Sequence, residues 1–273
     1  MRIGSLFSGI GGLELGLEWA GVGHVVWQVE RDEWCRRVLA KHWPDAERFE
    51  DVRTARGVHE IDCDMDDDCR CGDVLAPVDL ICGGFPCQDV SSAGPRVGLG
   101  GARSGLWSEY IRIVRELRPR VVVVENVADL LVRGFDVVAA DLAESGYDVE
   151  WSCVRACDVG APHQRERLFI VAYGDGERCQ RIAPARLHAG GPRRDDAHGR
   201  HRFPPGPSDA GAWRERAVAG HPEPGLRRGV DGFPGGVDTA RRLRQLGNAV
   251  VPQVAEVVGH VVLEILGRHH VQP

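Results

Sequence analysis

The sequence predicts a wound α/β domain. Three observations carry that expectation: through residue 174 short apolar runs alternate with stretches of helical periodicity, a glycine-rich turn joins the first run to a helix, and after residue 174 the periodicity stops. Residues 3–7 (IGSLF) form the first expected strand and lead into the turn SGIGG. A second strand is expected over 24–29, followed by a helix from Asp32 toward Pro44. The third, over 78–82, opens into a long loop of Gly, Ser and Pro. Leu106, Tyr110, Ile113, Val114 and Leu117 then repeat at helical spacing until Pro119 stops the run. Strands over 121–125, 148–154 and 168–172 complete a first domain of residues 1–174. From 175 to about 240 the texture is Gly, Pro, Arg and His, including GPRR and FPPGP, and a separate region is expected there. Residues 241–273 return, through a glycine–asparagine turn and an apolar run over 250–266, to helix-like sequence expected to pack on the first domain.

The 273 residues, 43% hydrophobic and 27% charged, exclude collagen-like, disordered and mini-protein classes and suffice for a large core. No run approaches the roughly 18 apolar residues of a membrane helix. The N-terminus MRIGSLFSGIGG lacks a basic segment followed by a long apolar stretch, so a soluble, unexported, cytoplasmic protein is expected. Nine irregularly spaced cysteines fit reduced thiols better than a disulfide framework. The net charge of −6 hides a polarised chain. Residues 45–73 hold eleven acidic and four basic side chains, whereas 175–245 hold nine acidic and fourteen basic ones. A phosphate backbone responds to the local field, so the second segment can engage nucleic acid although the whole chain is acidic. Within the acidic segment, His59, Cys63, Cys69 and Cys71 lack a standard zinc spacing, and a solvated loop without metal is the expected reading.

Three segments carry candidate chemistry. The turn after the first strand lets a ligand approach backbone N–H groups, but Glu14 stands where a dinucleotide fingerprint needs glycine, which weakens a nicotinamide reading. Glu30 ends the second strand, where a carboxylate can accept hydrogen bonds from ribose hydroxyls. In GGFPCQDVSS, Pro86 fixes the backbone before Cys87, a candidate nucleophile. VVVVENV brings Glu125 to the same carboxyl edge, where it can serve a substrate amine or ring nitrogen. In PHQRERLFIVA, Arg165 and Arg167 precede a strand at spacing two, as forks for a carbonyl oxygen or phosphate. Singly, each has a plainer reading: inert core thiol, helix-capping glutamate, salt-bridged surface.

Together and in order, FSGIGG at 7–12, GGFPCQ at 83–88, ENV at 125–127, QRERLFIV at 164–171 and LGNAVVPQV at 246–254 resemble the signature blocks of the cytosine-5 DNA methyltransferase family. The resemblance implies a Rossmann-like S-adenosylmethionine-dependent methyltransferase fold with a small inserted target-recognition lobe at 175–240. It implies that Cys87 adds to carbon 6 of the target cytosine and that Glu125 contacts ring nitrogen 3 and the exocyclic amine. Arg165 and Arg167 would hold the cytosine carbonyl and brace the pocket. Carbon 5 then attacks the methyl of S-adenosylmethionine, its proton leaves, and elimination frees Cys87. On the cofactor side the implied residues are Phe7 against adenine, Gly9 and Gly11 around the methionine portion, Glu30 on ribose, Asp51 near the adenine amine, and Asn248 with Ala249.

A cytosine inside a duplex cannot reach a thiolate in a cleft, so the base is expected to be flipped, with loop 88–105 closing over it. The sequence departs from the family at Ser5, where an acid is frequent, and at Arg31, where an aromatic is frequent. The expected partner is duplex DNA, with no membrane and no stable protein partner, the enzyme acting as a monomer. The competing readings are a tRNA cytosine-5 methyltransferase and a catalytically silent DNA-binding protein. An adenine amino-methyltransferase would need an Asn/Asp-Pro-Pro-aromatic segment, which the sequence lacks.

Overall fold

In the computed structural model of the chain the described residues are 1–57, 73–86, 105–174 and 247–269. They form β1 (Arg2–Leu6), α1 (Gly12–Trp19), β2 (His24–Val29), α2 (Glu33–His42), β3 (Glu47–Phe49), β4 (Ala55–Arg56), β5 (Asp73–Val74) and β6 (Leu80–Gly83). There follow α3 (Gly105–Leu117), β7 (Val121–Val127), α4 (Leu130–Arg133), α5 (Phe135–Glu144), β8 (Tyr147–Arg155), a 3-10 turn (Ala156–Val159), β9 (Glu166–Gly174) and α6 (Pro252–His269). Seven strands make one sheet in the order β3-β2-β1-β6-β7-β9-β8. All run parallel except β9, which is antiparallel to both neighbours. The predicted α/β class and Rossmann-like winding are therefore observed, with both faces of the sheet covered as a parallel sheet requires.

Alternation along the strands sorts the core into two layers. Ile3, Val25, Leu80, Val121 and Val123 pack beneath α1 and α6, and Leu6, Trp27, Ile81, Val122 and Val124 pack against the α3 face. α1 and α6 approach closely because the contact is made by small residues. A Cβ built on Gly16 would stand 2.2 Å from the Pro252 carbonyl oxygen, and one on Gly259 2.5 Å from the Ala20 Cβ. α2 is closed at its N-terminus by Asp32, whose carboxylate accepts from the amides of Trp34 and Cys35, and it carries Lys41 and His42 in its last turn.

All six strands read from the sequence are present, with ends shifted by one or two residues. β1 stops at Leu6, so Phe7 belongs to the following turn, and β7 runs on through the ENV segment. β3, β4, β5, α4 and α5 have no counterpart among the elements expected from the sequence. Among the described residues no helix is long and apolar enough to cross a membrane.

Candidate active site

Strand order reverses between β1 and β6, and a cleft of about 450 Å³ opens at the carboxyl ends of β1, β2, β6 and β7. Its first wall is built by the turn after β1. Phe7 sits at φ 56 and Gly9 at φ 57. A left-handed conformation at a phenylalanine costs roughly 1–3 kcal/mol and persists only where its surroundings enforce it. Phe7 lines the cleft while its ring stacks at 6.4 Å on Tyr110, itself stacked at 5.4 Å on Trp107. The Gly9 amide donates to Glu30 Oε2 at 2.7 Å, and the Asp32 amide to Glu30 Oε1 at 2.7 Å. Two fixed donors thus orient the Glu30 carboxylate and leave each oxygen a lone pair for a ligand.

Asp51, Asn248 and Ala249 also line the cleft. The Asp51 carboxylate accepts from the Arg53 amide at 3.0 Å. Gly11 lies behind this wall: it caps α1 at φ 88, and a Cβ there would meet the Trp43 ring at 2.3 Å.

The second wall belongs to β6, β7 and β9. Glu125 is 9% exposed, and Arg167 Nε approaches its Oε1 at 3.0 Å. Burial raises the Glu125 pKa above the ordinary carboxylate range, and the charges of Arg167 and Arg165 only partly offset it. Gly84 leaves room for that carboxyl, since a Cβ there would lie 2.5 Å from Glu125 Oε2. Arg165, at φ 27, turns elsewhere: its Nη1 donates to the Gly247 carbonyl at 2.5 Å and its Nη2 to the Ala249 carbonyl at 2.7 Å. The two arginines therefore reach different partners, one the buried acid and the other the segment carrying Asn248 and Ala249.

Cys87 lies outside the described residues, as do loop 88–104, the 175–246 region and His59, Cys63, Cys69 and Cys71. Phe85 and Pro86, which lead into Cys87, line the cleft, and the Phe85 carbonyl accepts from Asn126 Nδ2 at 3.1 Å.

Sequence reasoning missed two residues here. Asn126, 3% exposed, ties β7 to the strand-to-loop segment before Cys87. Glu14, 1% exposed, lines the cleft from α1; its Oε1 accepts from Ser5 Oγ at 2.6 Å, and its Oε2 has no hydrogen-bond partner among the described residues. The signal for Glu14 was present: an acid inside the apolar stretch LELGL, nine residues after a serine that stands in an acid's place.

Residues 1–192 match the family model described as C-5 cytosine-specific DNA methylase. The chain is 35% identical over 168 residues to the Type II methyltransferase M.CviJI of Paramecium bursaria Chlorella virus IL3A, covering 61% of this chain and 41% of that protein. It is 31% identical over 213 residues to the Type II methyltransferase M.AquIA of Picosynechococcus sp. (strain ATCC 27264 / PCC 7002 / PR-6), covering 73% and 83%. Among solved structures, the S. pombe Dnmt2 methyltransferase shares the fold with a TM-score of 0.53 at 18% identity, covering 71% of this chain and 57% of that one. The chain spans about two fifths of the length of several curated relatives it matches. The chain belongs to the C-5 cytosine-specific DNA methylase family.

Proposed function

We propose that the chain is a DNA cytosine-5 methyltransferase that modifies a flipped cytosine in a short duplex site and acts as a monomer. The observation that carries this reading is the meeting of two half-sites in one cleft. A nucleoside-type wall holds Phe7, Gly9 and the backbone-oriented Glu30, and it faces a buried, arginine-paired acid at Glu125.

The described residues fit S-adenosylmethionine. The cleft volume falls within the range of ligand sites, Phe7 offers a ring to a base, and Glu30 keeps acceptor capacity for a ribose diol. Bound there, S-adenosylmethionine would supply an electrophilic methyl group on a sulfonium. Glu30 would take the ribose hydroxyls, Asp51 the adenine amine, and Asn248 with Ala249 the remaining edge.

The Cys87 thiolate adds to carbon 6 of cytosine, which makes carbon 5 electron-rich and divides one difficult step into easier ones. Glu125 holds a proton at ring nitrogen 3, and its burial, which raises its pKa, favours that role. Arg167 keeps the Glu125 carboxyl in place, and Arg165 braces the cofactor edge through the Gly247 and Ala249 carbonyls. After methylation the carbon 5 proton leaves and Cys87 is eliminated. Residues 1–174 then form the catalytic unit, 175–240 the target-recognition region with arginines for phosphates and guanine edges, and 241–273 the returning segment.

Incubation with S-adenosylmethionine and duplex DNA carrying 5-fluorocytosine tests the reading, because fluorine at carbon 5 blocks the final elimination. A denaturation-resistant protein–DNA band that Cys87→Ser removes is the expected result. Methylation of ordinary DNA that survives Cys87→Ser would overturn the mechanism.

A further inference from the structure

Among the described residues, Glu14 is the one wholly buried acid of the cleft that the proposed reaction does not use. A carboxyl taken from water without a cation or a full set of donors is costly, so an unpartnered oxygen in that position calls for a chemical reason. Ser5 Oγ donates to Oε1 and is joined at 2.8 Å by Ser8 Oγ, which leaves Oε2 without a partner among the described residues. The titratable groups that act with it are Glu30 from the end of β2 and Cys82 from β6, with Glu18, one turn on in α1, acting on Cys82; the helix packed across α1, α6, carries Glu256 and an exposed His260. The charge acting on Glu14 is another carboxylate, Glu30. Three arginines line the cleft: Arg53 faces Asp51, Arg167 faces Glu125, and Arg31, just past the end of β2, is exposed. Among the described residues none of the three pairs with Glu14, and the cleft has an acidic end without a cation of its own.

We propose that Glu14 is a cofactor-binding residue that receives the α-ammonium of the ligand's zwitterionic amino-acid end, its free oxygen accepting from that group. This rests on the reading of the cleft as an S-adenosylmethionine site. It also accounts for Ser5: the acid frequent at that position of the family is supplied here from α1, with the serine hydroxyl orienting it.

The proposal has a proton signature. Burial pushes the Glu14 pKa up to about 7, so near neutrality the free protein holds a mixture of protonated and ionised forms, and an ammonium group selects the ionised one. Binding of such a ligand at pH 6.5 should release about three-quarters of a proton, and affinity should rise about tenfold from pH 6 to pH 8. Calorimetry in buffers of different ionisation enthalpy measures both quantities. The probes are S-adenosylhomocysteine, which keeps the ammonium, and methylthioadenosine, which has the nucleoside and thioether but no amino-acid end.

We expect proton release and the pH trend with S-adenosylhomocysteine, neither with methylthioadenosine, and loss of both in Glu14→Gln, with affinity at pH 8 lowered at least fivefold. Tight, pH-independent binding of S-adenosylhomocysteine to the wild-type chain would overturn the role of Glu14 while leaving the cofactor site standing. Failure of both probes to bind the wild-type chain would overturn the cofactor site and the role together. Because the wild-type measurement decides these outcomes, a folding defect in the variant cannot mask them.

Discussion

Replacing Arg167 with methionine removes the cation from a pair whose side chains are only 21% and 12% exposed. The Glu125 carboxyl stays buried, and it can either remain ionised without its partner or take up a proton. Breaking a buried pair costs roughly 3–5 kcal/mol when the orphaned charge persists. Protonation caps that cost. Relative to an unfolded pKa of about 4.3, neutralising a carboxyl at pH 7 costs at most about 4 kcal/mol, and at pH 5 at most about 1 kcal/mol. The wild-type carboxyl already has a raised pKa, because burial outweighs Arg167 and Arg165, so part of this cost is present before the substitution. The sign follows from linkage: a carboxyl with a raised folded pKa contributes stability that is fully present below its unfolded pKa and is lost as pH rises through the folded one. Arg167→Met moves the folded pKa further up and widens the window of loss. We expect the variant to be destabilised more at pH 8 than at pH 5, by no more than the roughly 4 kcal/mol that three pH units allow one proton, as read by urea unfolding with an unchanged m-value. A loss equal at both pH values would mean that Arg167 contributes packing and not charge, and the electrostatic account of the second wall would fail.

Three further outcomes follow from the same geometry. Asn126→Ala deletes the bond to the Phe85 carbonyl and should lower stability by ~1–3 kcal/mol while reducing trapping on 5-fluorocytosine DNA more than S-adenosylhomocysteine binding; parallel loss of both would show that Asn126 does not act on the Cys87 segment. Glu30→Ala orphans the Gly9 and Asp32 amides and should weaken S-adenosylhomocysteine binding by about 10–100-fold in calorimetry, with unchanged affinity removing Glu30 from the cofactor wall. Gly16→Ala gains about 1 kcal/mol of helix propensity but drives a methyl into the Pro252 carbonyl and Ala255, so thermal unfolding should show a net loss of ~1–2 kcal/mol.

What the sequence disclosed was what is local. Apolar runs and glycine turns reported the strands and the turn around Gly9, because a strand's burial pattern and a turn's backbone demand are written in adjacent residues. The five ordered blocks, with the acid at the end of the second strand, brought Phe7, Glu30, Glu125, Arg167, Asn248 and Ala249 into one reading, and these residues line one cleft. The short edge strand β3 and the weakly amphipathic α5 left no comparable periodic signal, since three residues cannot establish a period and α5 presents only Val138 and Leu142 as buried positions. The destination of Arg165 was equally unreadable, because its carbonyl partners lie 82 and 84 residues away and the choice between base and backbone is made by tertiary packing. Glu14 failed for a related reason: an acid on a helix is ordinarily solvated, and only the closeness of β1 to α1, with Ser5 beneath, turns it inward.

The central claim is cytosine-5 methylation of duplex DNA, and the most direct measurement maps 5-methylcytosine at base resolution after incubation of the chain and S-adenosylmethionine with mixed-sequence duplex DNA and, separately, with tRNA. The account predicts 5-methylcytosine in one short recurring DNA context, absent with Cys87→Ser. Modification confined to tRNA, or none in either nucleic acid from protein that binds S-adenosylhomocysteine, would contradict it.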